Sequence, residues 1–244
     1  MATVLRRETS LREVVDSLVG QATHLYVYLN DYERKSPWMT SVEASAPVTF
    51  LLGRDQGGDL GDAAKFYTAP RHAQGYFISV DDDIVYPPDF VSVMCEWSAR
   101  FGGAALCTTH GRRLGDAAVP IRGFFTNPHP DTRLFHGFSD VATPEFVHFG
   151  GTGSMCFDLS RVRPPTEWAD RERNLADIWV GLHAQALGAP IVVVPHTKTW
   201  LRPSAHVNAQ AESIWARTHM FDIPKYVINT SLTALHLHTC AEVI

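Results

Sequence analysis

Three consecutive aspartates, Asp81, Asp82 and Asp83, follow directly on the apolar run Tyr-Phe-Ile-Ser-Val at residues 76–80. Clustered carboxylates repel one another and raise each other's pKa unless a cation intervenes. A magnesium or manganese ion is the natural remedy: it accepts carboxylate oxygens and keeps positions for phosphate oxygens. An Asp-x-Asp arrangement can therefore hold a nucleoside diphosphate through the ion. In a transfer reaction the same ion stabilises the charge that grows on a departing diphosphate. A single aspartate here would read as a turn residue or helix N-cap; three in a row fit that role poorly.

The elements that must carry such a site alternate between strand and helix. Residues 3–5 form a short run consistent with a first strand. Leu11, Val14, Val15 and Leu18 then sit at helical spacing within residues 10–19, with Thr9 or Ser10 as the expected N-cap. Residues 24–29 and 48–52 are aromatic or apolar and β-branched, as strands require. The segment GRDQGGDLGDAAKF after them allows sharp turns before a short helix at 63–67. Residues 76–80, apolar on both faces, predict a central strand of a covered sheet. Pro87 and Pro88 suit the first turn of a helix through Phe90, Val91, Met94 and Trp97.

Further on, residues 104–108 read as a strand. Residues 110–145 show little periodicity and form a candidate functional loop or subdomain. A strand at 146–149, the glycine turn GGTGS at 150–154 and a second strand at 155–157 come next, then a helix over 174–187 with Asp177 near its start and a buried strand at 191–194. The tail from Ala205 reads as helical segments broken at Pro224. Alternation of this kind predicts an α/β three-layer domain with ligands at the carboxyl ends of strands, where Asn30, Asp81 and His196 fall. GGTGS is no P-loop, because it lacks the Lys-Ser/Thr ending. Trp179 and Trp200 suit the core better than a sugar-stacking role.

Composition narrows the class. A length of 244 residues, 45% hydrophobic and 19% charged, fits one ordinary globular catalytic domain. A net charge of -5 argues against nucleic acid as a partner. The four cysteines form no CxxC pair, which points to a reducing cytoplasm and away from a disulfide framework. No apolar stretch approaches the roughly 18 residues of a membrane span, while peripheral association with the inner face of a membrane stays open.

The ordered set of segments resembles the GT-A glycosyltransferases, in particular the family-2-like enzymes of bacterial surface and capsular glycans. The resembling pieces are the opening through Asp31, then GDLGDAAKF, GYFISVDDDIVYPPDF, GGTGS and ADIWVGLHAQALG before IVVVP; they span most of residues 2–196. The resemblance implies a Rossmann-like GT-A fold with a mostly parallel central sheet and a helical C-terminal tail. Its catalytic domain would be residues 1–204, binding nucleotide with about 1–109 and acceptor with about 110–204, followed by an extension at 205–244. It implies a UDP- or GDP-linked sugar donor, a hydroxyl acceptor, Mn²⁺ or Mg²⁺, and transfer with inversion. Thr3, Arg6 and Arg7 would contact the nucleobase, Asn30 and Asp31 the base or ribose, and Asp62 and Lys65 the nucleotide or phosphate. Asp81 and Asp83 take the metal-binding role, with Asp82 as a further ribose or metal contact and His196, or else His206, as a histidine ligand. Asp177 is implied as the catalytic base, with Asp170 and Glu172 as substitutes.

Overall fold

The structure, a computed structural model, describes residues 1–114, 133–164 and 174–207. The helical stripe read from the sequence forms α1 (Glu8–Leu18), where Leu11, Val14, Val15 and Leu18 are each at most 3% exposed. Burying four such side chains at i, i+3, i+4 and i+7 holds the helix by packing more than by propensity. The helix is not capped by Thr9 or Ser10: its N-cap is Arg7, and the Ser10 hydroxyl instead donates to the Arg7 carbonyl at 2.9 Å. A short 3-10 turn, Leu5–Arg7, leads into the helix and moves its start upstream.

Three strands form a parallel sheet in the order β1 (Ala2–Thr3), β2 (Leu25–Leu29), β3 (Val48–Leu52). Parallel neighbours need crossover connections. Those are α1 and α2 (Pro37–Ser45), the latter opening with proline in its first turn.

A second sheet has the order β4 (Tyr76–Val80), β11 (Ser154–Asp158), β6 (Leu106–Thr108), β12 (Ile191–Val193), β9 (Glu145–Val147). Three of its four pairings are antiparallel, and only β12 with β6 is parallel. The expectation of a mostly parallel central sheet is thereby corrected: β11 inserts between β4 and β6 and runs opposite to both. An apolar run reads alike in either direction, so periodicity could not reveal this. β4 is also corrected from a central to a terminal strand of its sheet, and Tyr76 is 45% exposed.

Two smaller antiparallel sheets complete the described residues. β7 (Gly111–Arg113) lies between β8 (Arg133–Phe135) and β10 (Phe149–Gly150), and β5 (Ile84–Val85) pairs with β13 (Arg202–Pro203). Residues 110–145 therefore contain strands that composition did not announce. Helix α3 (Phe90–Arg100) lies against β11 and β6, with Pro87 and Pro88 ahead of it and Asp89 as its N-cap, one turn later than expected. Helix α4 (Ala176–Leu187) packs on β10 and stops at Gly188, whose φ of 65° is the left-handed conformation glycine adopts freely.

The result is a mixed α/β fold with one core beneath α1, α2 and α3 and another beneath α4. The expected helical extension lies outside the described residues from 208 onward. No described helix is long and apolar enough to cross a membrane.

Candidate functional site

β4 ends at Val80, and the chain then carries Asp81, Asp82 and Asp83 across to β5. β13 holds that crossing from the other side, with Ser204 N donating to the Asp83 carbonyl at 2.8 Å. Below it stands Tyr86, only 3% exposed. Its hydroxyl accepts from Asp81 N at 2.9 Å and donates to the Gly153 carbonyl at 2.5 Å, tying the acidic loop to the glycine turn. Burial, reinforced by Asp81, holds the Tyr86 phenol well above its ordinary pKa, so it stays a neutral strut. A side chain at Gly153 would collide with the Asp81 carboxylate, which explains a glycine facing the acids.

Between the acidic loop and the start of α4 opens a cavity of about 590 Å³. Asp81 and Asp83 line it; Asp82 is 4% exposed and lies behind them. Arg7 Nη1 reaches Asp82 Oδ1 at 2.5 Å and Asp83 Oδ2 at 3.2 Å. Burial works against the charge on Asp82 and outweighs Arg7, so this carboxyl sits above the ordinary aspartate range. Burial together with Asp81 and Asp82 lifts Asp83 to about 6, against Arg7 and Lys65. The cations that the acidic triplet demands are thus partly supplied by the chain itself.

Lys65 makes the second such contact. It forms an ion pair with Asp81, and its Nζ donates to Thr152 Oγ1 at 3.3 Å. Burial opposes its charge, but Asp81, Asp62 and Asp177 together raise its pKa above the ordinary lysine value. Asp62, in the same 3-10 helix Gly61–Phe66, reaches across 112 and 114 residues of sequence to α4. Its Oδ1 accepts from Asn174 N at 3.0 Å and its Oδ2 from Ala176 N at 2.8 Å. The residue at the N-cap position of α4 is Leu175, which has no side-chain acceptor, so Asp62 caps the helix from outside.

Asp177, in the first turn of α4, lines the same cavity as Asp81 and Asp83. Its Oδ1 accepts both from Thr152 N at 2.8 Å and from Thr152 Oγ1 at 2.7 Å. Past Asp177 the wall is formed by His110, Arg112 and His136. The two imidazoles meet edge to face at 5.1 Å. Burial pushes His110 down to about 4, against the pull of Asp177. Burial, Arg112 and His196 lower His136 as well, so both rings are neutral near pH 7.

Of the residues expected from the sequence, the structure brings Arg7, Asp62, Lys65, Asp81, Asp83 and Asp177 to one cavity. Thr3 is buried and Arg6 exposed, and neither lines it. Asn30 is also away from the cavity: it accepts from Leu60 N and donates to the Gly61 carbonyl, both at 3.0 Å, fastening the GDLGDAAKF segment to β2. Asp31 Oδ1 accepts from Leu5 N at 2.6 Å. His196 lies outside the cavity with Nδ1 2.7 Å from the Val194 carbonyl and Nε2 3.4 Å from that of His136. His206 is exposed. Trp179 is in the core, and Trp200 donates to Asp89 at 3.1 Å. Asp170 and Glu172 lie outside the described residues.

Among the described residues, no three His, Cys, Asp or Glu side chains gather into a metal cage. Asp81 and Asp83 nevertheless offer hard oxygen ligands at the cavity wall. Two carboxylates, with phosphate oxygens and water as the other ligands, are how magnesium is usually bound, so the donor set fits. Tyr86, Thr152, His110, Arg112 and His136 were not singled out by sequence reasoning. Only the GGTGS turn and the aperiodic 110–145 region pointed toward four of them. No protein-family model matches the chain, and no curated protein matches it.

Proposed function

We propose that this chain is a glycosyltransferase of GT-A-like, Rossmann-like architecture that moves a sugar from a UDP- or GDP-linked donor to an acceptor hydroxyl, with inversion. The observation that carries the reading is the meeting of Asp81 and Asp83 with Asp177 in a single cavity, with Lys65 and Arg7 beside the acids. Clustered carboxylates beside two cations suit a metal-bound diphosphate, and a further carboxylate on the wall of the same cavity suits proton removal. The parallel β1–β2–β3 sheet, followed by an acidic loop at a strand end, supports the architecture.

Asp81 and Asp83 would hold Mn²⁺ or Mg²⁺, which when bound neutralises charge developing on the diphosphate. Lys65 and Arg7 add positive charge at the same wall. Asp177 takes the proton of the acceptor hydroxyl as that oxygen bonds to the anomeric carbon. The bond from that carbon to the diphosphate breaks, and its electron pair leaves with the diphosphate. The neutral His110 and His136, with Arg112, form the wall where an acceptor would lie.

Calorimetry of UDP and GDP with and without MnCl₂ tests the reading. Metal-dependent binding is expected in the parent and lost in Asp83→Ala. Asp177→Ala should keep that binding while release of nucleotide from sugar donors stops. Binding that ignores the metal and survives Asp83→Ala would sink the proposal, and retained turnover in Asp177→Ala would remove the base. A non-catalytic binding domain would instead show metal-dependent binding and no turnover in any form of the chain.

A further inference from the structure

Thr152 sits in the GGTGS turn at 2% exposure, held by Ser79 Oγ, which donates to its carbonyl at 2.7 Å. Its side chain has two partners, Asp177 and Lys65. An ammonium group has only donors, so Thr152 Oγ1 must accept from Lys65. The single proton of the hydroxyl is then committed to Asp177, whatever rotamer the hydroxyl hydrogen would otherwise choose. The backbone N–H of the same residue donates to the same oxygen. Both bonds fall on Oδ1, and among the described residues no hydrogen bond falls on Oδ2.

Two donors on one oxygen fix the carboxylate plane, because rotation about the Asp177 side chain breaks both bonds together. They also divide its two oxygens by role. Oδ1 is engaged, whereas Oδ2 keeps its lone pairs for an incoming proton. Lys65 in turn pairs with Asp81. A continuous chain of contacts therefore runs from the acidic triplet through Lys65 and Thr152 to Asp177, across residues far apart in sequence.

We propose that Thr152 is a positioning residue of the transfer reaction: its hydroxyl, oriented by Lys65, holds Asp177 so that Oδ2 receives the acceptor proton. The proposal rests on the reading of Asp177 as the base. The proton moves from the acceptor oxygen to Oδ2, and the Thr152 proton stays where it is. Only the geometry of the base depends on Thr152. A misdirected base slows the chemical step without weakening donor binding.

The test uses the full chain as Thr152→Val and Thr152→Ser. Valine keeps the shape and the backbone N–H but removes the hydroxyl; serine keeps the hydroxyl and loses the methyl. Calorimetry with UDP and GDP plus MnCl₂ measures the donor site, and release of nucleoside diphosphate from UDP-glucose and GDP-mannose measures turnover. Thr152→Val is expected to lower kcat by about ten- to a hundredfold with nucleotide affinity within about twofold of the parent. Thr152→Ser should restore kcat to within about threefold of the parent. Parental kcat in the valine variant, or a serine variant as slow as valine, overturns the role of Thr152 and leaves Asp177 as base. Affinity falling in step with kcat also overturns it, assigning Thr152 to donor binding. A parent that binds no nucleotide, or an Asp177→Ala chain that turns over at the parental rate, overturns the underlying reading and this proposal with it.

Discussion

Arg7 is the residue through which the acidic loop bears on stability. Its guanidinium and Asp82 are 8% and 5% exposed at the side chain, and they meet at 2.5 Å. A buried pair of this kind adds little relative to a well-packed apolar pair, but removing one member strands the other charge away from water. Arg7→Met should therefore destabilise the chain by about 3–5 kcal/mol in urea unfolding. Adding Asp82→Asn should recover part of the loss, because the stranded carboxylate is then gone. Equal stability of Arg7→Met and the parent would show that the pair is not buried as described. The sequence drew attention to Arg7 and to the triplet separately, as a nucleobase contact and a metal site. It could not pair them, since they are 75 residues apart and meet only where the 3-10 turn Leu5–Arg7 reaches the loop after β4.

Helix α4 shows how one element depends on another. Its apolar residues Ile178, Trp179, Val180 and Ala184 bury it, and Gly181 lets it approach Phe149, whose ring a side chain there would strike. Nothing in its own first turn replaces the missing N-cap. Asp62 supplies two acceptors from a distant 3-10 helix. Asp62→Ala should cost about 1 kcal/mol of stability, with faster hydrogen exchange confined to the first turn of α4. Uniform acceleration across α4 would mean that packing, and not the cap, was disturbed. The helix itself and the position of Asp177 near its start were legible in the sequence. Asp62 was read from the sequence as a nucleotide or phosphate contact and not as a cap, because capping across more than a hundred residues leaves no local pattern.

For the whole molecule, acid titration sets two groups against each other. His110 is pushed by burial to about 4, so the unfolded chain takes up this proton first as pH falls from the ordinary histidine value, and folding weakens between roughly 6.5 and 4. Asp83 is lifted to about 6, so the folded chain takes up its proton first, and folding strengthens as pH falls from 6 toward the ordinary aspartate value. The two slopes oppose one another over most of that window. Measured by urea unfolding in chelator, His110→Gln should become more acid-stable relative to the parent between pH 6 and 4, and Asp83→Asn more acid-labile. Parallel pH profiles for all three chains would refute these environments.

The sequence alone determined most of the elements, since helical and strand periodicities depend on neighbours within one turn or one pleat. It also marked the acidic triplet, because three adjacent carboxylates demand a cation wherever they fold. Only the tertiary structure decided strand direction and order, as with β11 running against β4 and β6, because a buried apolar strand looks the same in both directions. It alone decided the partners as well. Arg7 and Lys65 beside the acids, Asp62 on α4 and Thr152 on Asp177 are contacts between distant segments, whose energies depend on distance and burial that no local spacing encodes.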